Sequence, residues 1–150
     1  MDKDIIRAKR LIQSIINKLD LDLTGYNVLT EVGSDNYLFT PIIASMAGAK
    51  NVFAWAKDSS YGDANLIINQ CKRLATEVGL KNKITYANNS RPKSHISSAD
   101  IVTNLGNIRP IDSFFVSQMK NNSVIPYMCE SWEFREGDVA LKECMSRNIR

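Results

Sequence analysis

Apolar residues follow two rhythms along the chain. Between residues 4 and 19, Ile5, Ala8, Ile12, Ile15, Ile16 and Leu19 recur at helical spacing with Lys and Arg between them. That pattern predicts an amphipathic helix. Short apolar runs bounded by Gly, Pro and Asn come next, and they predict strands at 27–32, 51–56, 83–87, 100–104 and 124–128. Helices are expected between them. One starts at Thr40-Pro41, with Thr40 as its N-cap, and stops at Gly48. A second runs from Asp63 to Gly79 and buries Ala64, Ile67, Cys71, Leu74, Ala75 and Val78. A third spans Ile111 to Lys120 and turns Phe114, Phe115 and Met119 inward, and a last one spans Asp138 to about Arg147. The polar stretch 88–98, with Pro92 and His95, is expected to be a loop with at most one helical turn, and 131–137 is a second loop.

Strands alternating with helices through short links predict an α/β domain in three layers: a doubly wound parallel sheet of five strands in the order 3-2-1-4-5, preceded by an N-terminal helix. Pro126 lies inside the fifth strand and cannot donate to a ladder, which places that strand at an edge. The organisation expected is a helix and link over 1–24 and a nucleotide-binding type of domain over 25–150. The N-terminal helix either packs on the sheet or belongs to a larger partner domain. Packing is favoured because the alternative leaves an apolar stripe in water. A sixth strand is expected where the chain stops. A fragment, a remainder lying elsewhere, or completion by a second copy in a homodimer are all consistent with that.

Composition narrows the classes. The chain of 150 residues is one domain's worth, and its net charge of +3 is spread with no basic block, so no nucleic-acid partner is expected. No apolar run reaches the ~20 residues that span a bilayer, and the charged N-terminus shows no signal-peptide pattern. Cys71, Cys129 and Cys144 are odd in number and widely spaced, which reads as buried free thiols and a cytoplasmic location. With one histidine, His95, and no Cys-x-x-Cys pair, no metal site is expected.

Folds of this kind hold ligands at the carboxyl ends of their strands. Three clusters occupy those ends. Gly33, Ser34, Asp35 and Asn36 follow the first strand, and Gly33 permits a tight turn with N–H groups beyond it for an anion. The alternative is a plain strand–helix turn. Lys57, Asp58 and Ser59 end the second strand, where Asp58 is placed for ribose hydroxyls and Lys57 for a 2′-phosphate. Asn104, Leu105 and Gly106 follow the fourth, lining the adenosine or nicotinamide side, and Arg109 beyond them is the candidate anion or substrate holder. His95 and Cys129 lack a local partner that would make them catalytic, so no catalytic residue is assigned. Trp132 and Phe134 are expected to cover a sheet end or an interface.

From Ala99 onward the text resembles the cofactor domain of the D-2-hydroxyacid (formate/glycerate) dehydrogenase superfamily. The resembling phrases are Ser98-Ala99-Asp100-Ile101-Val102, the helix ending in Met119-Lys120 before an apolar strand, and Asp138-Val139-Ala140-Leu141. The resemblance implies a Rossmann-like domain that binds NAD or NADP and is incomplete for hydride transfer by itself. Asp35 replaces the second glycine of the fingerprint, and Glu130 and Ser131 stand where that family carries an arginine. A rival resemblance is to class I S-adenosylmethionine methyltransferases, through Val28-Leu29-Thr30-Glu31-Val32-Gly33-Ser34 and the strand entries Gly48-Ala49-Lys50-Asn51 and Gly79-Leu80-Lys81-Asn82. It implies S-adenosylmethionine as the cofactor. A third class is a non-catalytic Rossmann-like binding or assembly module.

Overall fold

The structure is a computed structural model that describes residues 3–128, 132 and 135–150. Expectations for Cys129, Glu130, Ser131 and Phe134 therefore lie outside the described residues. Its elements are α1 (Lys3–Lys18), β1 (Asn27–Glu31), α2 (Thr40–Met46), β2 (Asn51–Ala56), α3 (Ala64–Glu77), β3 (Ile84–Asn88), α4 (Lys93–Ser98), β4 (Ile101–Val102), α5 (Ser113–Gln118) and α6 (Leu141–Ser146). Short 3₁₀ turns occupy Asp35–Leu38 and Gly106–Ile108.

The four strands pair in the order β3-β2-β1-β4, and every pairing is parallel. Side chains alternate across the sheet, as strand geometry requires. Val28, Val52, Ala54, Ala56 and Ile84 pack on one face beneath α2 and α3, where Ile5 and Ile12 of α1 join them. Leu29, Phe53, Trp55, Ala87 and Val102 pack on the other face with Ile96, Phe115, Val116 and Cys144 of α4, α5 and α6, and with Met119 just after α5. Two cores on two faces make the three layers.

The expected fifth strand contracts to a single parallel bridge between Val124 and Ile101. Pro126 has no N–H to extend it. The next partner is a side chain: Asn104 Nδ2 donates to the Met128 carbonyl (2.9 Å), and the Met128 N–H donates to Asn104 Oδ1 (2.7 Å). On the outer side, the Arg150 N–H donates to the Ser123 carbonyl and the Ile125 N–H to the Arg150 carbonyl.

Three local expectations need correction. Thr40 is inside α2, not its cap. The 3₁₀ turn runs straight into that helix through Phe39, which is already in helical conformation. Residues Lys93–Ser98 form a six-residue helix that starts after Pro92, where a loop with at most one helical turn was expected. His95 rides on that helix and stacks on Phe53, with ring centroids 4.2 Å apart and planes 4° apart. Phe114, expected to turn inward, is 56% exposed. Asp63, where α3 was expected to begin, is its N-cap: the carboxylate accepts from the Leu66 N–H.

Candidate functional site

The chain steps outward from β1 to β2 to β3, then returns to lay β4 on the other side of β1. Successive connections therefore part in opposite directions between β1 and β4, and a crevice opens at the carboxyl ends there. A cavity of about 930 Å³ occupies it.

Of the residues named from sequence, Gly33, Ser34, Asp35, Asn36, Lys57, Ser59, Leu105, Gly106 and Arg109 all line this cavity. The loop after β1 is folded tightly back. A Cβ at Gly33 would stand 3.0 Å from Tyr37 Cβ, so only glycine lets the 3₁₀ turn approach so closely. Asp35 takes φ +51°, a left-handed conformation that Asp tolerates better than most side chains. Lys57 extends over the Trp55 ring, with Nζ 4.3 Å from the centroid. Burial, and then the charge of Arg91, push its ammonium below the ordinary lysine pKa. Arg91 grips Asp112 through both terminal guanidinium nitrogens at 3.2 Å, and these bonds hold the Asp112 carboxyl below its usual range.

Two named residues do not line the cavity. Asp58 accepts the Ala64 N–H on Oδ1 and the Asn89 amide on Oδ2, at 2.8 Å each, and its own N–H donates to Asn89. Its carboxylate closes the turn into α3. Asn104 is fully buried and holds Met128 as described above. Arg109 reaches the cavity wall already engaged. Its Nε donates to the Asn104 carbonyl (2.5 Å), one terminal nitrogen donates to the Met128 carbonyl (3.0 Å), and the other lies 3.6 Å from the Asp138 carboxylate.

Sequence reasoning missed Tyr37, Tyr61, Ile67, Tyr127 and Met128 in the lining, and named Glu31 only as part of the motif that ends the first strand. Glu31 is only 3% exposed, and a Cβ added to Gly106 would run into its carboxylate. A glutamate ending an apolar strand was the available signal for it. The tyrosines had none, because their place depends on turns that bring distant loops together.

No protein-family model and no curated protein sequence matches the chain. Solved structures do. Shikimate 5-dehydrogenase of Listeria monocytogenes, in complex with shikimate and NAD, superposes with a TM-score of 0.61 at 8% identity, over 95% of this chain and 50% of that one. L-idonate 5-dehydrogenase of Escherichia coli gives 0.57 at 13%, over 99% and 40%. D-mandelate dehydrogenase of Rhodotorula graminis gives 0.50 at 15%, over 93% and 37%. The chain thus spans half or less of these neighbours' length. The fold is Rossmann-like, of the kind that dehydrogenases with quite different substrates share.

Proposed function

We propose that this chain binds a nicotinamide adenine dinucleotide in the crevice between β1 and β4, and that NADP is preferred over NAD. The observation that carries the proposal is the cavity itself. It lies at the switch point of a doubly wound sheet, it has the volume for a dinucleotide, and its wall is built from the loops after β1, β2 and β4. The dehydrogenase neighbours support a nicotinamide cofactor over S-adenosylmethionine.

The preference for NADP rests on the end of β2. The acid suited to ribose hydroxyls, Asp58, spends both carboxylate oxygens on Ala64 and Asn89. Lys57 stands in the cavity wall beside Ser59 instead, with its charge directed by the Trp55 face. A lysine there suits a 2′-phosphate. Gly33 gives the ligand a close backbone approach, and Ser34 and Asn36 offer hydrogen bonds. Asp35 opposes a pyrophosphate, so the phosphates bind on the Lys57 side of the loop. The activity proposed is binding, and no residue is given a catalytic role.

Thermal unfolding with NADP, NAD or S-adenosylhomocysteine at about 1 mM tests the reading. A ligand at ~100 times its Kd adds ~2.7 kcal/mol, a shift of several degrees for a domain of this size. The expected order is NADP above NAD, with no shift from the methionine compound. A shift with S-adenosylhomocysteine alone transfers the site to a methyltransferase-like cofactor, and no shift at all removes the proposal.

A further inference from the structure

Beside the main cavity lies a smaller groove of about 420 Å³ between the 3₁₀ turn and α3. Leu38, Leu66 and Ile67 supply its apolar wall, and Asp35 and Gln70 its polar edge. Tyr61 lines both the groove and the main cavity, and so stands at the mouth that joins them.

The setting of Tyr61 is unusual. Its side chain is 83% exposed, yet its backbone is tightly held. The Ser59 N–H donates to the Gly62 carbonyl (3.1 Å), the Gly62 N–H returns to the Ser59 carbonyl (3.2 Å), and the Tyr61 N–H donates to Ser59 Oγ (3.2 Å). Gly62, at φ +155°, lies so close to α3 that a Cβ would sit 3.3 Å from Ile67 Cδ1. A large aromatic ring is thereby presented to solvent on a braced turn, two residues beyond the Ser59 that lines the main cavity. An exposed ring on a braced turn, beside a groove with one apolar wall, is a platform for a flat heterocycle.

Building on the cofactor reading, we propose that Tyr61 stacks on the adenine ring and that the base enters this side groove. The 2′-phosphate then rests near Lys57, and the base turns past Tyr61 toward Leu66, with Gln70 and Asp35 at its polar edge. The groove selects for a purine-bearing cofactor and leaves the main cavity for the rest of the dinucleotide.

Both Tyr61 and Leu66 are exposed, at 83% and 64%, so their substitution leaves the core intact. The test measures binding of NADPH by its fluorescence, of adenosine 2′,5′-bisphosphate by competition, and of nicotinamide mononucleotide as a probe without adenine. Tyr61→Ala and Leu66→Glu are expected to weaken the two adenine-bearing probes about tenfold or more, while Tyr61→Phe stays within about twofold of the parent. Nicotinamide mononucleotide binding is expected to be unchanged in all three. Unaltered binding of NADPH by Tyr61→Ala overturns the platform while leaving the cofactor reading intact. An equal loss for the mononucleotide overturns it as well, since the effect is then not at the base. If the parent protein binds neither NADPH nor the bisphosphate, the cofactor reading itself falls and this inference falls with it.

Discussion

The two walls of the crevice are made from similar residues put to opposite use. On the β1–β2 side, Ser34, Asn36, Lys57, Ser59 and Tyr61 face the cavity from turns braced by backbone bonds. On the β4 side, Asn104 and Arg109 spend their polar groups on the chain itself, tying residues 104, 128 and 138 into one strap. Both walls carry a cation and an amide at a strand end, which is why they read alike in sequence. What separates them is where the hydrogen bonds go. A polar side chain whose donors already meet backbone carbonyls holds the wall, and one whose donors are not so engaged remains available to a ligand.

Substitutions that act on one wall and spare the other can break this contrast. The largest effect is expected from Asn104→Ala. It removes a fully buried amide and both of its bonds to the Met128 backbone, whose carbonyl keeps Arg109, and should cost about 1–3 kcal/mol in chemical denaturation. If Asn104→Ala keeps its stability and loses only cofactor affinity, the strap is misread. Next comes Lys57→Met, expected to weaken NADP about tenfold or more and to leave NAD within about twofold, with stability nearly unchanged. Equal weakening of both cofactors would remove the 2′-phosphate assignment. Arg109→Lys keeps the charge but cannot reach three partners in one plane, so a loss of about 1 kcal/mol in stability is expected with affinity largely retained.

The smallest effect is a pH dependence away from the crevice. Burial lowers the pKa of His95 on its stack with Phe53. A folded-state pKa below the unfolded value near 6.5 means the neutral form is the one the fold favours. Its contribution is present above pH ~6.5 and declines as the pH falls through the folded value. In His95→Gln, the drop in stability between pH 7 and pH 5 should be shallower than in the parent protein. An identical or steeper slope would count against the stack as its source.

Much of the layout could be read before any coordinates. β2 runs over the residues expected, and the strand order 3-2-1-4 follows from strands linked through helices. Short apolar runs and glycine stops are local signals, and local signals survive in a single sequence. The fifth strand did not, although its Pro126 gave warning. What replaces its ladder is the Asn104 amide, and nothing near residue 128 announces that partner. Asp58 is a similar case: its fate was decided by Asn89, which lies 31 residues away in the chain. Tyr61 and the side groove were invisible for the same reason, because the turn at 59–62 gains its meaning only against α3. The places where the reading was incomplete are those where a polar side chain chose between a distant backbone and a ligand.

The most direct test of the account is to map NADP binding by amide chemical shifts in the nitrogen-15-labelled protein. The account predicts that the largest changes fall on Gly33–Tyr37 and Lys57–Gly62, with smaller ones at Leu105 and Gly106 and almost none along α1 or α6. Changes centred elsewhere, or confined to the strap around Asn104, Arg109 and Asp138, would contradict it.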